Sequence, residues 1–309
     1  MSSTTETDAE PATFSETNSR REAMEGAIDD WLENLVDAAA EARTSDTFQR
    51  WLDAQAAFHD YSYRNSLLIE RQCPGATKVA GYRTWQEEFD RHVEEGESAI
   101  WIWAPIITER CPACENSESY HAQNECDYDE TPPAEWDRGL VGFKPVPVFD
   151  VSQTEGEPLP DLETAATGDP GDLVGRLLDA ADPLELSVRV VPDDDWSHGD
   201  ADGVCTRHDP VSVAPLVEVR DRDNRAALVQ TLCHEYAHAL LHVRSETVPT
   251  EATRELEAEA VAYVVGRHLG LDMSGSAFYL AAWQGDDASV IRDRLSRISQ
   301  TAEAIIDVV

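Results

Sequence analysis

The stretch 228–244, LVQTLCHEYAHALLHVR, leaves its chain little conformational choice. His234 and His238 are four residues apart, so they share a face only if the segment is helical, with about one turn between them. Asp223 or Asn224 can cap that helix, which runs through Ala226, Leu228 and Leu232 and past Leu241. Two imidazoles on one face supply two corners of a tetrahedral zinc site. Glu235, beside the first histidine, is placed to take a proton from water. The plain alternative is a chance H-E-x-x-H in an ordinary buried helix.

A catalytic zinc site of this kind needs a third protein ligand and an open position for water. The segment 253–270, TRELEAEAVAYVVGRHLG, reads as a second helix carrying Glu255, Glu257 and Glu259. Glu257 shares a face with Val261, Val264 and Val265, the stripe suited to a core, whereas Glu255 lies beside Glu259 and Ala262, nearer solvent. Glu257 is therefore the expected third ligand, with Glu259 second. His242 continues the face of His238 but stands two turns from His234, and is read as a packing or supporting histidine. Tyr263 and Tyr279 are candidate oxyanion donors, each also readable as a packed aromatic. Cys233 is read as a buried thiol.

The second constraint is charge. The 309 residues include 61 acidic and 24 basic ones, a net of −37, and only Lys78 and Lys144 are lysines. Acid spread along the whole chain suits a salt-rich cytoplasm, where self-repulsion is screened within a few ångströms and solvated carboxylates keep a protein in solution. The expected source is a halophile. Net charge would ordinarily disfavour nucleic acid, but in such a chain only local basic patches are informative. The N-terminus has neither a basic nor an apolar region of a secretory signal, and AIWIWAPII (99–107) is too short to span a bilayer. The expectation is a cytoplasmic protein without membrane contact, its six cysteines thiols or metal ligands rather than disulfides.

Along the chain, residues 1–20 read as a disordered acidic tail. Two or three amphipathic helices fill 21–72, followed by a short strand or turn near Gly81, a short helix, a turn at Gly96 and a strong strand to 106. A further strand is expected at 146–153. The Pro-, Gly- and acid-rich 154–171 reads as a linker. Beyond it lie a helix (172–181), strands at 185–191 and 214–220, and long helices starting near Asp223 and Thr250. The fold class is α+β in two domains, 21–153 and 172–309, the second mainly helical.

Within the first domain, Cys111-x2-Cys114-x6-His121-x4-Cys126 supplies four soft ligands in a polar loop with little core of its own. That pattern suits a closed structural zinc site, Asp127 or His92 being possible substitutes for one ligand. The alternative is four reduced residues in a loop. Nearby, Tyr61, Arg64, Asn65, Lys78 and Arg83 combine aromatic character with scarce positive charge, the combination that holds a single strand by stacking and phosphate contact.

Two resemblances arise from these residues. HEYAHALLH paired with ELEAEAVAY resembles the ImmA/IrrE type of metallopeptidases, whose E-A motif glutamate completes the zinc site; the match falls on Glu257. It implies zinc-dependent cleavage of an unidentified protein substrate. YSYRNSLL (61–68), ATKVAGYRTW (76–85), GESAIWIWAP (96–105) and the exit VFDVSQTEGEPLP (148–160) resemble the N-terminal domain of ArdC-type antirestriction proteins, where such a domain binds single-stranded DNA ahead of a metallopeptidase-like one. The resemblance implies mobile-element biology. The competing reading is a DNA-binding or DNA-protecting protein whose zinc domain is structural.

Overall fold

A computed structural model describes residues 11–14, 19–40, 46–123, 126–156, 170–206, 214–243, 249–273 and 280–309. The chain is α+β. Three helices come first, α1 (Arg20–Ala40), α2 (Asp46–Ala57) and α3 (Tyr63–Gln72), as the apolar spacing of 21–72 predicts. Then come β1 (Val79–Ala80), α4 (Tyr82–Glu87), β2 (Arg91–Val93), β3 (Ile100–Glu109), α5 (Glu118–Gln123), β4 (Arg138–Asp150) and β5 (Thr154–Gly156). The second half holds α6 (Pro170–Ala180), β6 (Ser187–Val191), β7 (Gly203–Thr206), β8 (Leu216–Arg220), α7 (Arg225–His238), α8 (Glu251–His268) and α9 (Ala288–Ile306).

The strands form three small sheets ordered β1-β4-β3, β2-β5 and β6-β8-β7. β3 and β4 make a long antiparallel hairpin, paired from Ile100↔Val148 to Glu109↔Arg138 with one register shift between Ile106 and Ile107. β3 is the edge of its sheet, and α3 closes that edge with side chains. The amide of Asn65 donates to the Trp103 carbonyl at 2.8 Å and accepts its N–H at 2.9 Å. Gln72 does the same for Trp101, at 3.0 and 2.8 Å. Two amides seven residues apart on one helix face thus satisfy alternate residues of an edge strand, as a neighbouring strand would.

The core does not divide where the sequence suggested. One buried cluster runs from Phe14 and α1–α3 into α6–α9. Phe48 stacks on Trp51 at 5.6 Å and meets Trp283 edge-on at 5.4 Å, tying α2 to the segment before α9. Each buried ring of this size contributes about 2–3 kcal/mol. A second, small cluster of Phe58, Ile69, Ile100, Ile102 and Val148 lies under the hairpin. One boundary is corrected: Thr154–Gly156, assigned to a linker, is a strand paired with β2; the rest of that expected linker up to 169 lies outside the described residues. Of the expected tail, 1–10 and 15–18 also lie outside them, but Phe14 is buried and the Ala12 N–H donates to the Arg71 carbonyl at 2.9 Å. No described helix is long and apolar enough to cross a membrane.

Candidate metal centre and candidate nucleic-acid interface

α7 forms where expected. Asn224 caps it, its side chain accepting the Ala227 N–H at 3.1 Å, and Leu228, Val229 and Leu232 anchor one side in the core. The helix continues as one π-type turn over Ala239–Val243. The His234 and His238 Nε2 atoms converge to 3.0 Å. The third donor beside them is Glu255, whose two oxygens lie 3.3 Å from His234 Nε2 and 3.4 Å from His238 Nε2. Two nitrogen or oxygen ligands of a tetrahedral zinc ion would stand about 3.3 Å apart, so this trio fits a metal ion and leaves a fourth position open.

Glu257, the expected third ligand, is elsewhere. It is fully buried, 2.5 Å from Arg294 and 3.8 Å from both Arg297 and His242. The hydrophobic face of α8 does not single out the metal side, because the helix packs on α2, α7 and α9 at once. Its most buried stripe therefore turns away from α7's histidines, toward α9. Glu259 is 3.5 Å from His234 Nδ1, the position that fixes a ring so that its other nitrogen faces a metal. Thr250 caps α8, accepting the Thr253 N–H at 3.2 Å.

The electrostatics sort the groups by role. Burial drives the His238 imidazole down to about 4, with His234 adding to the effect, so it stays neutral with a free lone pair. Burial also pulls His234 down, but Glu259, Glu235 and Glu255 outweigh it and hold the ring above its ordinary value. Glu235 is buried and pushed up to about 7 by desolvation, with Glu255 adding to the rise and His234 opposing it. Strand β7, read from sequence as loop, presses on it. A Cβ at Gly203 would come within 2.7 Å of Glu235 Cγ and Thr231 Cγ2. Tyr263 is no oxyanion donor here, since its hydroxyl donates to Asp53 at 2.7 Å. Tyr279 lies outside the described residues. Cys233 is fully buried, as expected.

At the far end of the β3–β4 hairpin, Cys111, Cys114, His121 and Cys126 bring one donor atom each to within 4.8 Å of one another. Cys114 Sγ is 3.6 Å from His121 Nδ1, matching the ~3.6 Å separation of a thiolate and an imidazole on one tetrahedral zinc. The turn is built for it: the Cys111 N–H donates to the Asn116 carbonyl at 2.9 Å, and Glu115 takes a φ of 59°. The Asn116 backbone, helped by His121 and Cys111, brings the Cys114 thiol down to about 6. The His121 ring packs edge-on against Trp136 at 5.1 Å. These four residues fit a metal ion as well; neither His92, on β2, nor Asp127 joins the cluster.

The expected strand-binding residues are scattered. Asn65 is corrected: it is buried and committed to the Trp103 backbone. Tyr61 packs edge-on against Phe58 at 6.1 Å, and Lys78 Nζ lies 5.5 Å from the Phe89 ring, both half-buried. Arg64 is half-buried, 5.8 Å from the Trp103 ring. Arg83 is exposed on α4. The sequence reading missed Arg20, whose guanidinium sits 3.4 Å over Trp101, and Arg21, 5.0 Å over Trp103. The signal was there in the alternation of tryptophans along IWIWAP, which puts both rings on one face of β3.

No protein-family model matches the chain. It is 26% identical over 279 residues to the uncharacterized protein pXO2-81 of Bacillus anthracis, a match covering 82% of this chain and 46% of that protein. The chain thus spans about half the length of that relative. Two crystal structures of the antirestriction protein ArdC from plasmid R388 are similar in part. The metal-free one is 18% identical with a TM-score of 0.42, covering 78% of this chain and 80% of that one. The Mn(II)-bound one is 17% identical with a TM-score of 0.47, covering 91% and 97%.

Proposed function

We propose that the chain is a zinc-dependent peptidase whose first half binds single-stranded DNA. The observation that carries the hydrolytic part is the convergence of His234 Nε2, His238 Nε2 and the Glu255 carboxylate, with the buried Glu235 adjoining His234. A zinc ion held by those three would supply Lewis-acid polarisation of a scissile carbonyl and make water acidic enough to attack near neutral pH. Glu235, beside His234, takes the proton of the attacking water and returns it to the departing amine. Glu259 fixes the His234 ring. Among the described residues β7 pairs with β8 alone. Its other edge, beside Glu235, offers backbone N–H and C=O groups to an extended peptide.

The DNA-binding part and a role in antirestriction or another mobile-element setting rest on the sequence blocks at 61–105 and 148–160. The Cys/His cluster is proposed as a second, structural zinc site.

The test is a peptide library digested by the zinc-loaded protein and by Glu235→Gln, read by mass spectrometry, with zinc per chain measured on both. Two zincs in each protein and cleavage by the wild type alone support the reading. Two zincs with no cleavage that depends on Glu235 would leave a DNA-binding protein whose H-E-x-x-H metal is structural.

A further inference from the structure

The β3–β4 hairpin is unlike the rest of the chain in charge. Strands β3 and β4 hold acids only at their last residues, Glu109 and Asp150, and two cations, Arg138 and Lys144, whereas an average of 61 acids in 309 residues would put about four or five carboxylates there. The outer half of the hairpin also leaves large apolar side chains in water: Ile107 is 54% exposed, Leu140 47% and Phe143 47%. These three are not scattered. Phe143 pairs with Pro105 and Leu140 with Ile107, across the irregularity at Ile106/Ile107, and side chains two apart on a strand share a face. One face of the hairpin therefore reads Trp101, Trp103, Pro105, Ile107 and Glu109 on β3, with Phe143 opposite Pro105, Leu140 opposite Ile107 and Arg138 opposite Glu109. Lys144, paired with Ala104, belongs to the reverse face.

The strip carries cations at both ends. Arg20 and Arg21 stack on its two tryptophans, and Arg64 stands 5.8 Å from Trp103 with a buried, unpartnered Nε. Arg21 donates to the Phe143 carbonyl at 2.5 Å and stands 3.9 Å from the exposed Glu25. At the other end Arg138 is exposed beside Leu140. The Cys/His cluster closes the hairpin just beyond.

We infer that this face of the β3–β4 hairpin is the platform on which a single nucleic-acid strand lies, its bases on Phe143 and the neighbouring apolar side chains and its phosphates toward Arg21, Arg64 and Arg138. This deepens the strand-binding reading proposed above and rests on it. The chemistry favours a single strand over a duplex, because flat apolar side chains in water offer faces to unpaired bases, whereas a duplex presents mainly phosphate. A face with a single carboxylate, Glu109, is what a polyanion needs from a protein of net charge −37.

The test is fluorescence anisotropy of a labelled oligothymidylate of about 20 nucleotides with the full-length, zinc-loaded protein, titrated with KCl over the range in which circular dichroism shows it folded. Phe143→Ala is expected to weaken binding about tenfold, Phe143→Leu nearly as much, and Phe143→Tyr little. Arg138→Glu is expected to lower the slope of log affinity against log salt by at least about one, and Arg138→Lys to restore it. Arg83→Glu, on α4, tests the other exposed cation that the sequence marks for strand binding. If the wild type binds and Arg83→Glu weakens it while the hairpin variants do not, the platform is elsewhere and this inference fails with the strand-binding reading intact. Equal competition by duplex of the same length would overturn the stacking. If the wild type retains no strand even at low salt, the strand-binding reading itself fails.

Discussion

Glu255 and Glu257 are two residues apart on one helix and serve different neighbours: Glu255 lies 3.3–3.4 Å from both histidines of α7, Glu257 2.5 Å from Arg294 of α9. The two substitutions should separate cleanly. Glu255→Ala is expected to remove one zinc per chain with little loss of stability, since its carboxylate is more than half exposed. Glu257→Ala removes the fully buried partner of Arg294 and leaves it only Asp286, 3.0 Å away; it is expected to cost about 2–3 kcal/mol in denaturant unfolding, the metal content of the folded protein unchanged.

The amide clamp on β3 gives a second test. Asn65→Ala strips both the Trp103 N–H and carbonyl of their partner. It should destabilise the protein by about 2–4 kcal/mol, measured by urea unfolding, while Asn65→Asp costs less because one acceptor remains. Strand affinity of the folded fraction should not move.

His242 is 3% exposed on its side chain and pushed down to about 3 by burial, by His238 and by Arg297. A histidine whose folded value lies below its unfolded one gives stability that is present above about 6.5 and is lost as pH falls toward 3, because the unfolded chain binds the proton first. Between pH 7 and pH 4 the wild type should lose about 3 kcal/mol that His242→Gln does not lose, read by urea unfolding across that range.

Charge gives the last. With a net of −37 and a Debye length that shrinks from about 10 Å at 0.1 M salt to about 3 Å at 1 M, the melting temperature should climb by about 10 °C over that interval. A flat response would remove the case for a salt-rich cytoplasm.

How much of this could be read beforehand depended on how local the signal was. The helices α1–α3 and α7, the cap at Asn224 and the two histidines declare themselves by periodicity. The outer half of β4 did not, because RGLVGFKP carries two glycines and a proline that mimic a loop. Strands β2, β5 and β7 are three or four residues long and exist through their partners. The choice between Glu255 and Glu257 needed the packing of α9, a helix the sequence reading never drew. Asn65 looked like a surface contact because no spacing rule marks an amide that serves a strand 38 residues away.

Both halves of the molecule contribute to one interior. A chain broken between the two halves would keep α1–α3 seated on α8 and α9, held by Trp31, Trp51, Phe48 and Trp283 and by Tyr263 and Arg267 on Asp53. The two fragments would travel as one particle through a sizing column. Each expressed alone would present an open apolar seam. Exchange of one half between proteins would therefore have to carry the matching seam with it.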